Sequence, residues 1–145
     1  MSEKTIPGMT TEIFKEFLEN TITYVCADNR ALIKDIFKGK NDFFGYTFPG
    51  LAQCECEVTT DGTIVTHWST SNRPVINYSV TLADFDDIMM GKMAPMTAMV
   101  TKKIKVNGPM TEAMKFINLM PALKVAYRKS RKEIGEKYGL SYFKD

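Results

Sequence analysis

Residues 81–108 read TLADFDDIMMGKMAPMTAMVTKKIKVNG, and their punctuation decides the fold. Thr81 followed by Asp84 has the spacing of a helix start, a hydroxyl cap with an acid in the first turn. Gly91 ends that helix, and Pro95 suits the first turn of another. Lys103, Ile104, Lys105 and Val106 then alternate polar with apolar, the period of a half-buried strand. Asn107-Gly108-Pro109 breaks the strand and opens a further helix, with Met110, Ala113, Met114 and Ile117 expected to face inward. Residues 81–120 also hold eight of the ten methionines: Met89, Met90, Met93, Met96, Met99, Met110, Met114 and Met120. Methionine is unbranched and polarizable, so this density means either irregular core filling or the walls of a pocket for a pliable apolar ligand.

Upstream of this stretch the period changes twice. Thr10 is a helix cap with Glu12 in its first turn, and Ile13, Phe14, Phe17, Leu18, Ile22 and Val25 form an apolar stripe. A second, shorter helix is expected from Asp28, burying Leu32, Ile33, Ile36 and Phe37 and stopping at Gly39. These helices, residues 10–39, read as cover for something apolar. Residues 43–81 read as strands. Phe43 to Phe48 is aromatic-rich and ends in the turn pair Pro49-Gly50. Ala52, Cys54, Cys56 and Val58 alternate with Gln53, Glu55 and Glu57, which predicts one wet face. Asp61-Gly62 is a hairpin signal, Ile64, Val65 and Trp68 mark the next strand, and Ile76, Tyr78 and Val80 share a face in the last. Consecutive strands with short turns predict an antiparallel meander.

Downstream, Pro121 is expected to break or kink the helical pattern. Residues 122–139 then form a basic C-terminal helix, with Leu123, Tyr127, Ile134 and Tyr138 on one side and a stop at Gly139. The whole is an α/β (α+β) chain: one domain over 1–145, a five-stranded, mainly antiparallel sheet covered by helices, with residues 82–120 lining a pocket.

Composition narrows the function classes. With 44% hydrophobic and 25% charged residues and a net charge of +2, the chain is globular and has no global pull toward nucleic acid. The charge is uneven: between 124 and 137, six basic residues face only Glu133 and Glu136. The N-terminus lacks the apolar run of a signal peptide, nothing approaches a membrane span, and the C-terminus is no peroxisomal address. Three cysteines, Cys26, Cys54 and Cys56, are too few for a secreted disulfide framework. A cytoplasmic protein is expected.

The order of elements and one local motif together resemble the sterol carrier protein 2 (SCP-2) family of lipid-binding domains. The motif is Asp84 at the helix start, Gly91-Lys92 at its end, Pro95, then Lys103-Ile104-Lys105-Val106 closed by Gly108. The likeness is close over 75–120 and rests on element order over 10–74. One residue departs from it: the family usually has glycine before the Lys-rich strand, where this chain has Lys102. The resemblance implies a tunnel between sheet and helices that takes a fatty acid, acyl-CoA, sterol-like molecule or phospholipid, with no cofactor.

On that basis the expected lining is Phe85, Ile88, Met89, Met96, Met99, Val100, Met110, Met114, Ile117 and Met120, joined by Trp68 and Tyr78 from the sheet. A 400 Å³ void left dry costs on the order of 10 kcal/mol, comparable to the stability of a whole domain. An unliganded form must therefore let its helices slump inward, admit water or hold a stray lipid. A sixteen-carbon chain gains roughly 12 kcal/mol on burial, of which association takes back about 4 kcal/mol or more.

Other residues offer weaker chemistry. His67 is the only histidine and lacks partners for a triad or metal site, so it reads as a strand residue that is hydrogen-bonded or faces solvent. Cys54 and Cys56 read as small buried residues rather than metal ligands. Asp84, Asp86 and Asp87 at a helix start compensate the dipole. The basic residues Lys124, Arg128, Lys129, Arg131 and Lys132 read first as a solvated face, and otherwise as weak, salt-sensitive docking to an anionic membrane surface. No catalytic or metal residue is assigned. Two rival functions remain: an acyl-thioester-processing enzyme or accessory protein, and an interaction module whose Met-rich groove takes a partner helix.

Overall fold

A computed structural model describes residues 5–144, so the ends of the expected 1–145 domain, residues 1–4 and 145, lie outside the described residues. Helix α1 (Thr11–Ile36) starts where Thr10 accepts a hydrogen bond from the Ile13 N–H at 3.2 Å. The two helices expected over 10–39 are one helix with a kink at Asn29, whose side-chain amide donates to the Val25 carbonyl at 3.0 Å. That bond satisfies a carbonyl while the backbone leaves helical angles, so the chain bends without ending.

Five strands follow: β1 (Asp42–Phe48), β2 (Ala52–Val58), β3 (Ile64–His67), β4 (Ile76–Ser79) and, later, β5 (Lys105–Asn107). Their order in the sheet is β3-β2-β1-β4-β5. Pairs β1–β2, β2–β3 and β4–β5 are antiparallel, as the sequence leads one to expect, but the meander stops at β3. Strand β4 crosses to the far side of β1 and pairs with it in parallel, Tyr46 opposite Tyr78. The polar segment from Thr70 to Pro74, counted among the short turns in the sequence, is part of a β3–β4 connection long enough to make this crossing. The result is a mixed five-stranded α+β sheet.

Helix α2 (Leu82–Met89) is capped by Thr81, which accepts from the Asp84 N–H at 3.1 Å. Helix α3 (Pro95–Val100) has its proline in the first turn. Between α3 and β5 lies Lys102, one of two non-glycine residues with positive φ among the described residues, at 62°. A left-handed backbone favours glycine, which gives the family's usual glycine a physical reason and makes lysine here a local strain. Gly108 closes β5 because a Cβ there would sit 2.7–2.9 Å from Ile76 atoms, too close for any side chain.

Helix α4 (Met110–Tyr138) corrects the expected break at Pro121, since it runs unbroken through the proline. The ring is exposed, so the bond it removes from the Ile117 carbonyl is lost on the face open to water. Helix α4 ends at Gly139, φ 63°, as expected, and a 3-10 turn (Ser141–Phe143) folds back on it. The core lies where α1, α2 and α4 cover one face of the sheet, around Phe14, Phe17, Ile33, Ile76 and Ile88.

Candidate functional site

Three of the hollows among the described residues follow one another, each sharing side chains with the next. The central one, about 70 Å³, is walled by α1 (Leu18, Thr21, Ile22, Val25), by the sheet (Phe44, Tyr46, Phe48, Cys56, Val58, Ile64), and by Phe37, Phe85, Phe116, Leu119 and Leu123. A second hollow of about 10 Å³ lies on the other side of Phe116, between Tyr78, Pro95, Met99, Ile104, Ala113, Ile117 and Met120. The third is an open groove of about 460 Å³ between α3 and β5, lined by Met96, Met99, Val100, Lys102, Ile104, Lys105, Val106 and Met110. Phe116 is common to the first and second, and Met99 and Ile104 are common to the second and third. Side chains alone therefore separate the core from the surface along this line.

Aromatic packing makes the first partition. The Tyr46 and Tyr78 rings stack at 5.1 Å, and Phe116 lies 5.9 Å from the first and 5.2 Å from the second. Burial raises the Tyr78 hydroxyl above the ordinary tyrosine value, and the nearby Glu112 adds to the rise. Desolvation does the same at Tyr46. Both hydroxyls stay protonated near neutral pH. The Tyr78 oxygen is buried with no hydrogen-bond partner among the described residues, leaving a donor beside an otherwise apolar path.

The expected lining residues scatter across this series. Phe85 reaches the central hollow. Tyr78, Met99, Ile117 and Met120 surround the second. Met96, Val100 and Met110 lie in the outer groove and are 51%, 78% and 54% exposed, so they face solvent and not an interior tunnel. Met114 is likewise exposed: the inward stripe of α4 is Ala113, Phe116 and Met120, which turns Met110 and Met114 outward. Ile88 and Met89 are fully buried in solid core and line none of the three hollows. Trp68 packs edge-on to Phe14 and donates its indole N–H to Glu19 at 2.8 Å. Completed by Phe37, Cys56, Val58, Ile64, Phe116, Leu119 and Leu123, the walls of the central hollow not assigned to the site from sequence come mostly from α1 and the aromatic 43–48 segment. Both were visible as apolar, but nothing local said that they face one another.

The polar candidates separate cleanly from the cavity. Asp86 does not compensate a helix dipole. It is fully buried and accepts from the Tyr127 hydroxyl at 2.6 Å and from Arg131 at 2.8 and 3.1 Å. Arg131 is therefore no docking residue: it is 2% exposed, and it also donates to the Tyr142 carbonyl at 3.1 Å. The sequence pattern placed it on the basic face because two successive inward positions, Ser130 and Arg131, are polar. Lys124 is half-buried, whereas Arg128, Lys129 and Lys132 are exposed. Arg128 also donates to the Met89 carbonyl, and Lys129 lies over the Tyr24 ring. Glu55, expected on a wet face, is buried beneath Ser71 and Arg73 of the crossing loop. His67 pairs with Glu57 at 2.8 Å, and the hydrogen bond from Asn41, then that with His67, holds the Glu57 carboxyl below its usual range. Cys54 and Cys56 are buried in β2, where contact with Cys54 and burial push the Cys56 thiol well up.

Residues 52–121 match the model of the SCP-2 sterol transfer family. No curated protein matches the chain in sequence. Among solved structures, the sterol carrier protein domain 2 of Helicoverpa armigera is 18% identical with a TM-score of 0.55, the match covering 86% of this chain and 96% of that one. The UbiJ-SCP2 ubiquinone synthesis protein is 7% identical with a TM-score of 0.59, over 81% and 95%. Sterol carrier protein 2 from Yarrowia lipolytica, in its apo form, is 19% identical with a TM-score of 0.50, over 88% and 98%. At these identities the likeness establishes the fold. The chain spans only 14–15% of the length of two structures of the Pseudomonas sec-alkylsulfatase Pisa1. No helix among the described residues is long and apolar enough to cross a membrane.

Proposed function

We propose, from the match of residues 52–121 to the SCP-2 sterol transfer family, that the protein carries an apolar lipid, namely a fatty acid, acyl-CoA, sterol-like molecule or phospholipid, in the path from the central hollow past Phe116. The observation that carries this reading is the continuity of the three hollows through shared side-chain walls. The closed state is cheap to keep. About 70 Å³ of void costs on the order of 2 kcal/mol, whereas a site of the usual 300 Å³ or more, held open and dry, costs several times that. Helices packed this close to the sheet fit one of the three ways in which an unliganded carrier avoids that cost.

Loading then requires Phe116 and the first part of α4 to move aside. The roughly 12 kcal/mol gained by a sixteen-carbon chain exceeds the association cost, leaving several kcal/mol to drive the opening. Tyr78 supplies one donor to the ligand's polar end. With Glu112 nearby, a hydroxyl or carbonyl suits this donor better than a carboxylate. Selectivity for the chain itself is low, since the walls are apolar.

Native mass spectrometry of freshly isolated protein, followed by titration with a fluorescent fatty acid and a fluorescent sterol, tests the reading. Co-purified lipid or saturable uptake at one per chain is expected. Protein that is repeatedly lipid-free and takes up neither probe overturns it.

A further inference from the structure

The outer groove carries a feature that ligand carriage does not require. Met96, Val100 and Met110 are three large aliphatic side chains, each more than half exposed and gathered in one groove. Single exposed apolar residues are ordinary on a folded protein, but a contiguous group marks a contact surface. Lys102 and Lys105 line the same groove, and Lys103, also exposed, lies between them. From Gly91 to Thr111 the chain contains four lysines and no aspartate or glutamate. The first carboxylate beyond, Glu112, is already paired with Lys115 at 3.0 Å.

The knob that presents these side chains is firmly built. The Lys103 and Ile104 N–H groups both donate to the Ala98 carbonyl, at 2.8 and 3.1 Å, tying the start of β5 to α3. Ala98 and Ile104 are buried beneath it. The turn is made with lysine at φ 62°, where glycine would be free of strain. Strain retained at one residue points to a use for its side chain. Lysines on an edge strand also discourage strand pairing, which accounts for Lys105 but not for the exposed Val100 beside it.

We propose that the α3–β5 groove is a docking face for an anionic lipid bilayer, with Met96, Val100 and Met110 entering the headgroup layer and Lys102, Lys103 and Lys105 on the lipid phosphates. An apolar centre with a purely cationic rim is the pattern of interfacial binding, and the long lysine stems keep their charges at headgroup height while the centre sinks in. Charge complementarity favours a bilayer over a helical protein partner, whose recognition would not require a rim wholly of one sign. The exposed part of the basic C-terminal helix offers charge with a single large exposed aliphatic, Val125, and so lacks the apolar centre. The face is a surface property, independent of whether the cavity takes a chain.

Sedimentation with phosphatidylcholine vesicles, with and without phosphatidylserine, tests it. Binding is expected only with phosphatidylserine and declines with salt. The triple variant K102Q/K103Q/K105Q loses affinity by about fivefold per charge removed. Val100→Asp loses it with all charges in place, and K124Q/K132Q on the C-terminal helix leaves it unchanged. Circular dichroism confirms that each variant folds. No sedimentation of the parent protein, equal binding by the triple variant, or loss in K124Q/K132Q overturns the proposal. So does concentration-dependent dimerisation abolished by Val100→Asp, which would assign the face to a second copy. Protein that takes up soluble fatty acid but ignores vesicles sinks the docking face alone, and the reverse result sinks the cavity reading alone.

Discussion

Helix α4 is two different objects joined at Pro121. After the proline it is fastened to its neighbours by polar ties. Tyr127 and Arg131 hold Asp86, the Ser130 hydroxyl donates to the Phe17 carbonyl at 3.0 Å, Glu133 accepts from Tyr24, and Lys137 and Tyr138 bond Glu16. Before the proline it presents Ala113, Phe116, Ile117 and Leu119 to the hollows, and its ion pairs run from Lys115 to Glu112 and, at 3.9 Å, to Asp42. Hydrophobic contacts are non-directional and re-form after a slide, whereas a buried bidentate ion pair has one geometry. In the loading proposed above, the second half serves as a fixed post and the first half as the wall that moves. Pro121 removes one of the backbone bonds that would couple them.

The largest expected effect comes from breaking the post. Asp86→Ala leaves a buried guanidinium and a buried phenol without their shared acceptor, and costs about 4 kcal/mol. Urea unfolding measures this; a loss under 1 kcal/mol would mean that the pair is not the anchor. Pro121→Ala supplies the N–H that the Ile117 carbonyl lacks, gains about 2 kcal/mol after allowance for the unfolded chain, and splints wall to post. Fatty-acid uptake should slow in that variant, and unchanged uptake would show that the wall opens elsewhere.

A smaller effect is expected at the outer edge of the wall. Lys102→Gly relieves the left-handed strain and stabilises the fold by about 1 kcal/mol, read as a rise in thermal midpoint. The smallest concerns pH. The bond from Lys137, then that from Tyr138, lowers the Glu16 carboxyl below its ordinary value of 4.5. A group depressed in the folded state stabilises it above the ordinary value and loses that contribution as pH falls through the depressed one. Hydrogen-exchange protection, referred to the intrinsic rate at each pH, should therefore fall in residues 130–138 below pH 4.5, while residues 110–120 show no matching step. Glu16→Gln should remove the step.

Much of the fold was legible because it rests on local rules. Thr10 and Thr81 cap helices, Gly139 stops one, and the alternation from Lys103 marks an edge strand that begins two residues later, at Lys105, each through geometry spanning a few residues. Pro121 misled because a proline's effect depends on whether its ring faces water or core, which sequence does not state. The site was less legible. The methionine-rich stretch marked the right region, yet Ile88 and Met89 became solid core while Met96 and Met110 reached solvent. Residue type reports that a side chain is apolar, not which neighbour it meets. Asp86 was lost among three acids because a buried partner forty-five residues away leaves no trace in the local pattern.

Caps and periodicity were enough to determine a helix-covered sheet, since each follows from interactions within a turn or a strand; the motif from Asp84 to Gly108 carried the resemblance to the SCP-2 family, and an apolar ligand is what that resemblance implies. Only the tertiary structure decided that β4 lies parallel to β1, that Arg131 turns inward, and that Phe116 parts the central hollow from a second one, which Met99 and Ile104 part from an open groove holding Lys102 and Lys105. Those outcomes depend on the relative placement of elements far apart in the chain. The packing that sets it is a property of the assembled surfaces and not of any one segment.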